Sequence, residues 1–328
     1  MAVDTEMWSA GRISRLGRLS VYLKCLFVIG AFFHFPVASM MWLRRLPNTI
    51  RHKAFGISVI MAIIGSPVPK SRWFQQSWLL RQMLKYFQTT VVGEAPPGGG
   101  QQVVYGMAPH GIVPFSLGLT AFGGLNSLLS HLRIVTATAT RLVPLFSHTL
   151  RLGGSIYADR PLVEAALRRG ESLGITPGGI AEMFWGYPQP GCHPKEEYAV
   201  LRGRKGFVRL AIKYGATLVP TFVFGASKLY RRVVLPKFVE DFSNYLRLSI
   251  VLFYGQLGLP IPFEVPIRYA LGSAIETSHW APLLRKGSLE PPPEVVDFVH
   301  NTFKAGLVST FDRHKGAYGW SDRTLKLV

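Results

Sequence analysis

Two cysteines, Cys25 and Cys192, are all that 328 residues supply. No disulfide framework and no cysteine-ligated zinc site can be built from them, and so sparse a thiol content fits a reducing compartment. Acid is scarce as well: 18 Asp and Glu stand against 37 Lys and Arg, a formal net charge of +19. Such an excess needs an anionic partner, whether nucleic acid, an anionic lipid surface or a phosphorylated substrate. A mean hydropathy of +0.22 with 48% hydrophobic residues goes against a nucleic-acid binder, whose charge comes with high polarity. It favours the membrane and the phosphorylated substrate. Catalytic signatures are missing too. There is no Gly-x-Ser-x-Gly elbow of a serine hydrolase, no Gly-x4-Gly-Lys-Ser/Thr phosphate loop, no His-Glu-x-x-His metal motif and no obvious covalent nucleophile.

What is present begins with apolar runs near the N-terminus. Residues 1 to 20 are basic from Arg12 onwards and lack a cleavable signal pattern. From Cys25 to Leu43, nineteen residues carry no formal charge, enough to cross a bilayer as one helix, although His34 and Pro36 interrupt the run. A basic loop (Arg44, Arg45, Arg51, Lys53) leads to a second uncharged run, Ala54 to Val68. Together they read as a membrane hairpin over about 25 to 68, with a pair of buried core helices as the alternative. Arg72 to Phe87 interleaves aromatic and aliphatic side chains with Arg and Lys, the pattern of a helix lying on an anionic surface. The Glu94-Ala95-Pro96-Pro97-Gly98-Gly99-Gly100 linker then breaks regular structure. The expected division is therefore an anchor over 1–93 and a catalytic domain over 94–328.

Beyond the linker, strand and helix patterns alternate. Strands are expected at 102–106, 133–139, 172–176, 216–224 and 265–271, and helices at 142–152, 162–169 and 205–214. The alternation predicts an α/β fold with a mixed, largely parallel sheet flanked by helices. Residues 233 to 263 interrupt it with a basic, aromatic-rich insertion, expected as a lid or a membrane-apposed helix. After Pro291-Pro292-Pro293, the spacing of Val295, Val299, Phe303 and Leu307 predicts an amphipathic helix that packs back on the domain.

Three stretches carry chemistry. In Val103–Phe115 (VVYGMAPHGIVPF), a β-branched run delivers His110 to a Pro-His-Gly corner, at the strand end where α/β sheets bind ligands. A histidine titrates near neutral pH and serves as a base, but histidines also pack structurally. Thr176–Glu182 (TPGGIAE) ends another strand in a Gly-Gly turn and supplies a carboxylate, Glu182, able to orient an imidazole; the bland reading is a tight turn with a solvated acid. In Leu201–Arg209 (LRGRKGFVR), Arg202, Arg204 and Lys205 open a helix, where side-chain charge and free N–H groups favour phosphates. A solvated basic helix start is the alternative. No metal site is read from the sequence.

Five stretches in this order, YGMAPHG (105–111), GGSIYADR (153–160), PGGIAE (177–182), RKGFVRLAIKYGATLVPTFVFG (204–225) and FDRHKGAYG (311–319), resemble the type 2 diacylglycerol acyltransferase family. That family includes monoacylglycerol and wax-alcohol relatives and looks like a branch of the glycerolipid acyltransferase superfamily. The family's His-Pro-His-Gly signature is altered here, with Ala108 in place of the first His. The wider superfamily keeps an Asp five positions after its His, where this chain has Phe115.

The resemblance implies a membrane enzyme of the endoplasmic reticulum, with lipid droplets as a second address, that moves an acyl group from acyl-CoA to diacylglycerol. Acyl-CoA is then a co-substrate and no cofactor is expected. His110 would be the base and Glu182 its orienting acid, with Asp159 in reserve. Gly111, Gly178 and Gly179 would offer oxyanion N–H groups. Arg202, Arg204 and Lys205 would hold the CoA phosphates, and Arg160 is a further polar candidate. Expected partners are acyl-CoA, a lipid acceptor and membrane lipids, not nucleic acid; a homo-oligomer stays open. Monoacylglycerol or a long-chain alcohol as acceptor, and an inactive lipid-binding scaffold, remain as alternatives.

Overall fold

Gly30 decides how the N-terminal apolar run folds. A Cβ there would lie 1.9 Å from the Leu26 carbonyl oxygen, so only glycine permits the break between α1 (Arg15–Val28) and α2 (Ala31–Arg45). The two axes are bent by 48°. The expectation of one spanning helix over 25–43 is thereby corrected: among the described residues no single helix is long and apolar enough to cross a membrane, although the bent pair passes that test together. A short turn returns the chain as α3 (Ile50–Gly65). The computed structural model describes residues 13–93, 101–120, 129, 132–187, 191–233, 236, 238, 251–280 and 290–328.

The basic, aromatic segment that follows is two helices, α4 (Arg72–Gln75) and α5 (Trp78–Tyr86), which lead into strand β1 (Thr90–Gly93). Instead of lying on a surface as one helix, it buries Leu80, Met83, Leu84, Tyr86 and Phe87 in the core and leaves Trp73 and Trp78 outside.

Strands β2 (Val103–Ala108), β3 (Arg133–Thr136), β4 (Ile156–Tyr157), β5 (Leu173–Ile175), β6 (Glu196–Ala199), β7 (Thr217–Phe224), β8 (Arg231–Arg232), β9 (Phe253–Tyr254), β10 (Arg268–Leu271) and β11 (Thr324–Leu327) complete the set. A seven-stranded sheet has the order β1-β10-β7-β2-β5-β3-β4. The strands from β7 to β4 run parallel to one another, β10 is antiparallel to β7, and β1 is parallel to β10. The mixed, largely parallel sheet is as the sequence predicts. Two small pairs stand apart, β6 with β11 and β8 with β9. The remaining helices are α6 (Phe115–Leu119), α7 (Pro144–Leu152), α8 (Arg160–Arg168), α9 (Gly206–Tyr214) and α10 (Pro293–Tyr318).

Successive residues of a strand face opposite sides of the sheet. Val103, Tyr105 and Met107 of β2 join one core, with α1, α5 and α7; Val104 and Ala108 join the other, with α8, α9 and α10. Both faces are therefore covered, which explains why β2 reads as a continuous apolar run. On the N-terminal side of the expected division at 93/94, β1 is a strand of the main sheet, and Val21, Cys25 and Ile29 pack in the first core. Part of the insertion, including 239–250, lies outside the described residues; of the expected lid, 251–263 carries β9 and a short turn of 3-10 helix.

Candidate active site

Adjacent parallel strands present their carboxyl ends side by side. β2 pairs with β5, Gly106 opposite Ile175, and with β7, Ala108 opposite Phe222. The chain leaves β2 through Pro109 to His110, and leaves β5 through Pro177 to the turn of 3-10 helix, 179–184, that carries Glu182. Sequence-distant corners thus meet in space.

His110 is almost wholly buried, at 4% exposure. Its Nε2 lies 2.6 Å from the Gly179 carbonyl oxygen. A carbonyl only accepts, so Nε2 carries the proton in this contact and Nδ1 holds the lone pair of the neutral ring. Nδ1 is buried and has no hydrogen-bond partner. Glu182 Oε2 accepts from the backbone N–H of His110 at 2.9 Å, and Oε1 accepts from the backbone N–H of Val200 at 3.3 Å. The carboxylate stands 3.8 Å from Nε2, too far for a hydrogen bond. The expected acid is therefore beside the His, while the ring is oriented by a main-chain carbonyl. Burial pushes the Glu182 carboxyl above the usual carboxylate range, opposed by His110, by the two backbone N–H groups and by Arg204.

The flanking glycines have specific causes. A Cβ on Gly178 would meet Glu182 Cγ at 2.4 Å, so the acid folds back over this residue. Gly111 has φ +72, and a Cβ there would lie 2.3 Å from the Ala226 carbonyl oxygen, in the loop after β7. Of the expected oxyanion donors, the Gly179 N–H is engaged by the Thr176 carbonyl at 3.2 Å. That donor is withdrawn, and the Gly179 contribution to the corner is its carbonyl.

The basic stretch divides. Because β7 follows α9 and runs parallel to β2, α9 lies antiparallel to both and its N-terminus stands at the same sheet edge as His110. Arg204 acts electrostatically on Glu182. Arg202 and Lys205 turn instead into a cleft of about 380 Å³ shared with α10. Lys205 Nζ pairs there with Asp297 Oδ1 at 2.5 Å.

Asp159 does not reach the His. It is exposed at the start of α8, just after edge strand β4, which lies three strand spacings from β2, about 14 Å away. Arg160 is bound to Glu164 at 3.0 Å and to Glu290, and lines a cleft of about 770 Å³ with Arg209 and Lys213. Neither belongs to the His110 corner. Among the described residues no group of three or more His, Cys, Asp or Glu could hold a metal ion.

An apolar cavity of about 310 Å³ begins three residues after His110. Val113, Phe115, Gly118 and Leu119 form one wall, α1 and α5 another, and α7 with Leu145 and Phe146 a third. Sequence reasoning missed this chamber and the roles of Gly179 and Val200. Its walls come from five separated segments, and backbone contacts carry no side-chain signature.

The diacylglycerol acyltransferase family profile matches residues 61–328. Bovine diacylglycerol O-acyltransferase 2 is 26% identical over 275 residues, covering 76% of this chain and 71% of its own. Mouse acyl-CoA wax alcohol acyltransferase 1 is 27% identical, covering 79% and 80%, and mouse 2-acylglycerol O-acyltransferase 1 is 29% identical, covering 76% of each. With the profile running through both strand-end corners and the basic helix start, the chain is an acyltransferase belonging to the diacylglycerol acyltransferase family.

Proposed function

We propose that this acyltransferase moves an acyl group from acyl-CoA to the free hydroxyl of diacylglycerol, at the endoplasmic reticulum membrane and on lipid droplets. The observation that carries the reading is the buried, partnerless Nδ1 of His110, whose ring is held by the Gly179 carbonyl beside the Glu182 carboxylate. Nδ1 takes the proton of the acceptor hydroxyl as that oxygen attacks the thioester carbonyl carbon. Glu182 stabilises the imidazolium. Collapse of the tetrahedral intermediate breaks the C–S bond, and the departing thiolate takes the proton back from Nδ1, releasing CoA as the thiol. Base assistance of this kind contributes about 10²–10⁴-fold, so positioning and oxyanion donors supply the rest. The backbone N–H groups of Gly111 and Gly178 are the donors proposed. No cofactor enters this scheme.

Three further features support the reading. The apolar chamber beside the His suits an acyl chain. Arg202, Arg204 and Lys205 supply positive charge for CoA phosphates at the same sheet edge. Large side chains such as Leu23, Phe27, Met40, Phe55 and Met61 are exposed on α1 to α3, more apolar surface than a water-facing protein keeps. The chain would therefore stay with membranes washed in high salt.

His110→Gln tests the base. Its amide can still reach the Gly179 carbonyl while the Nδ1 lone pair is gone, so the protein is expected to fold and lose about 10²–10⁴-fold in triacylglycerol formation. Near-normal turnover of labelled oleoyl-CoA by this variant in membranes would overturn the assignment. A second reading concerns the acceptor alone. The relative named for 2-acylglycerol has the highest identity of the three, 29%, so the same assay is run side by side with monoacylglycerol and a long-chain alcohol.

A further inference from the structure

The cleft between the 202–205 loop and α10 contains a group that acyl transfer does not use. His300 is 2% exposed, two turns into α10, and packs edge-on against Phe207 at 6.3 Å. It lies on the apolar stripe of Val296, Val299, Phe303 and Leu307. Its Nε2 is buried with no hydrogen-bond partner. The other ring nitrogen faces the Leu201 backbone carbonyl, which only accepts, so the neutral ring carries its lone pair on Nε2. His300 lines a cleft of about 380 Å³ with Arg202, Lys205, Asp297, Asn301 and Lys304. Three cations face one carboxylate and one unsatisfied lone pair. Leaving a buried polar atom unpaired is costly, which gives the site a demand for a ligand that both accepts and donates.

We propose that this cleft binds a phosphate monoester, with Arg202, Lys205 and Lys304 around its oxygens and His300 Nε2 sharing its one remaining proton. This inference rests on the proposed use of acyl-CoA, and on that substrate the group is the 3′-phosphate, the only monoester that CoA carries. The pyrophosphate has no proton to share near neutral pH. A phosphate monoester loses its second proton near pH 6, so a bound state that keeps one proton between phosphate and ring is favoured as pH falls towards neutrality. Asp297, Lys304, Lys205 and Arg202 are the charged groups around His300. Burial, then Lys304 and Lys205, hold the free ring neutral, so the shared proton arrives with the ligand.

The test compares oleoyl-CoA with oleoyl-3′-dephospho-CoA on the full chain in membranes. The wild type is expected to show a KM about tenfold or more higher for the dephospho donor, at similar kcat. The ratio should shrink between pH 7 and pH 8.5. In His300→Phe, which keeps an aromatic ring against Phe207, and in Lys304→Ala, the KM for oleoyl-CoA should rise about tenfold and that for the dephospho donor should stay. Loss of the pH dependence in His300→Phe alone separates proton sharing from a merely structural role. Equal KM values for the two donors in the wild type, or an undiminished ratio in both variants, would overturn the proposal. Should the protein turn over neither donor, calorimetry of CoA against 3′-dephospho-CoA on the detergent-solubilised wild type reads the cleft without catalysis. Tighter binding of CoA upholds the site even where the acyl-CoA reading fails, and equal binding sinks it.

Discussion

At the His110 corner, the decisive contacts are between side chains and main chain. Glu182 holds the His110 and Val200 N–H groups, and the Gly179 carbonyl holds the imidazole. The acid can do this only because Gly178 has no Cβ. Gly178→Ala should therefore behave as a mutation of Glu182: its methyl group would occupy the space of Glu182 Cγ and expel the carboxylate. Charge-assisted hydrogen bonds contribute about 1.5–3 kcal/mol, so Gly178→Ala and Glu182→Gln should each lower kcat about 10–100-fold. Initial rates at equal protein level check this. If Gly178→Ala keeps wild-type kcat while Glu182→Gln loses it, the carboxylate does not depend on that glycine.

Between elements, one acid fastens α8 to α9. Glu164 on α8 binds Arg160 and Arg168 of its own helix at 3.0 and 2.9 Å, and Lys213 of α9 at 3.0 Å. The Arg160 and Lys213 hydrogen bonds hold its carboxyl down at about 2. A carboxyl depressed in the folded state stabilises the fold above its ordinary value of about 4.5 and loses that contribution as pH falls through about 2. Glu164→Gln should thus melt below the wild type at pH 7, and the gap should close progressively between pH 4.5 and pH 2. Thermal unfolding of both proteins in detergent measures it. A gap independent of pH would show that the clamp does not act through charge.

Across the molecule, the N-terminal helices are not an appendage. They cover one face of the sheet and wall the apolar chamber beside His110. On the proposed function, the helices that would meet the membrane are the same ones that wall the acyl-chain chamber. Gly118 in α6 lines that chamber, and a Cβ there meets only Leu150 Cδ2, at 3.9 Å. Gly118→Leu should therefore fill part of the space. Each methylene of a donor left outside forfeits about 0.8 kcal/mol, about fourfold in kcat/KM. The variant is expected to prefer decanoyl-CoA over oleoyl-CoA relative to wild type, in a chain-length series. An unchanged profile would mean that the acyl chain lies elsewhere.

Local pattern was enough for much of this. The β-branched run before His110, the Gly-Gly turn before Glu182 and the start of α9 are short-range signals, and the strands and helices they predict fall close to where the fold has them. Ala108 and Phe115 in the sequence already meant that a partner for His110 had to come from elsewhere in the chain. Which acid stands beside His110 depended on strand order: β2 beside β5 brings Glu182 to the corner, and β4 at the far edge keeps Asp159 away. Gly30 hides a bend inside an uncharged run, because the clash it avoids is with a backbone atom four residues back. His300 sits on an apolar stripe that reads as core, and only the approach of the 202–205 loop turns its unpaired nitrogen into the floor of a basic cleft. Sequence determines what is periodic along the chain, since burial on a strand or helix repeats at short range. Tertiary structure alone decides which distant carbonyl, amide or cation stands opposite a given side chain, because those contacts are made across the sheet and leave no period to read.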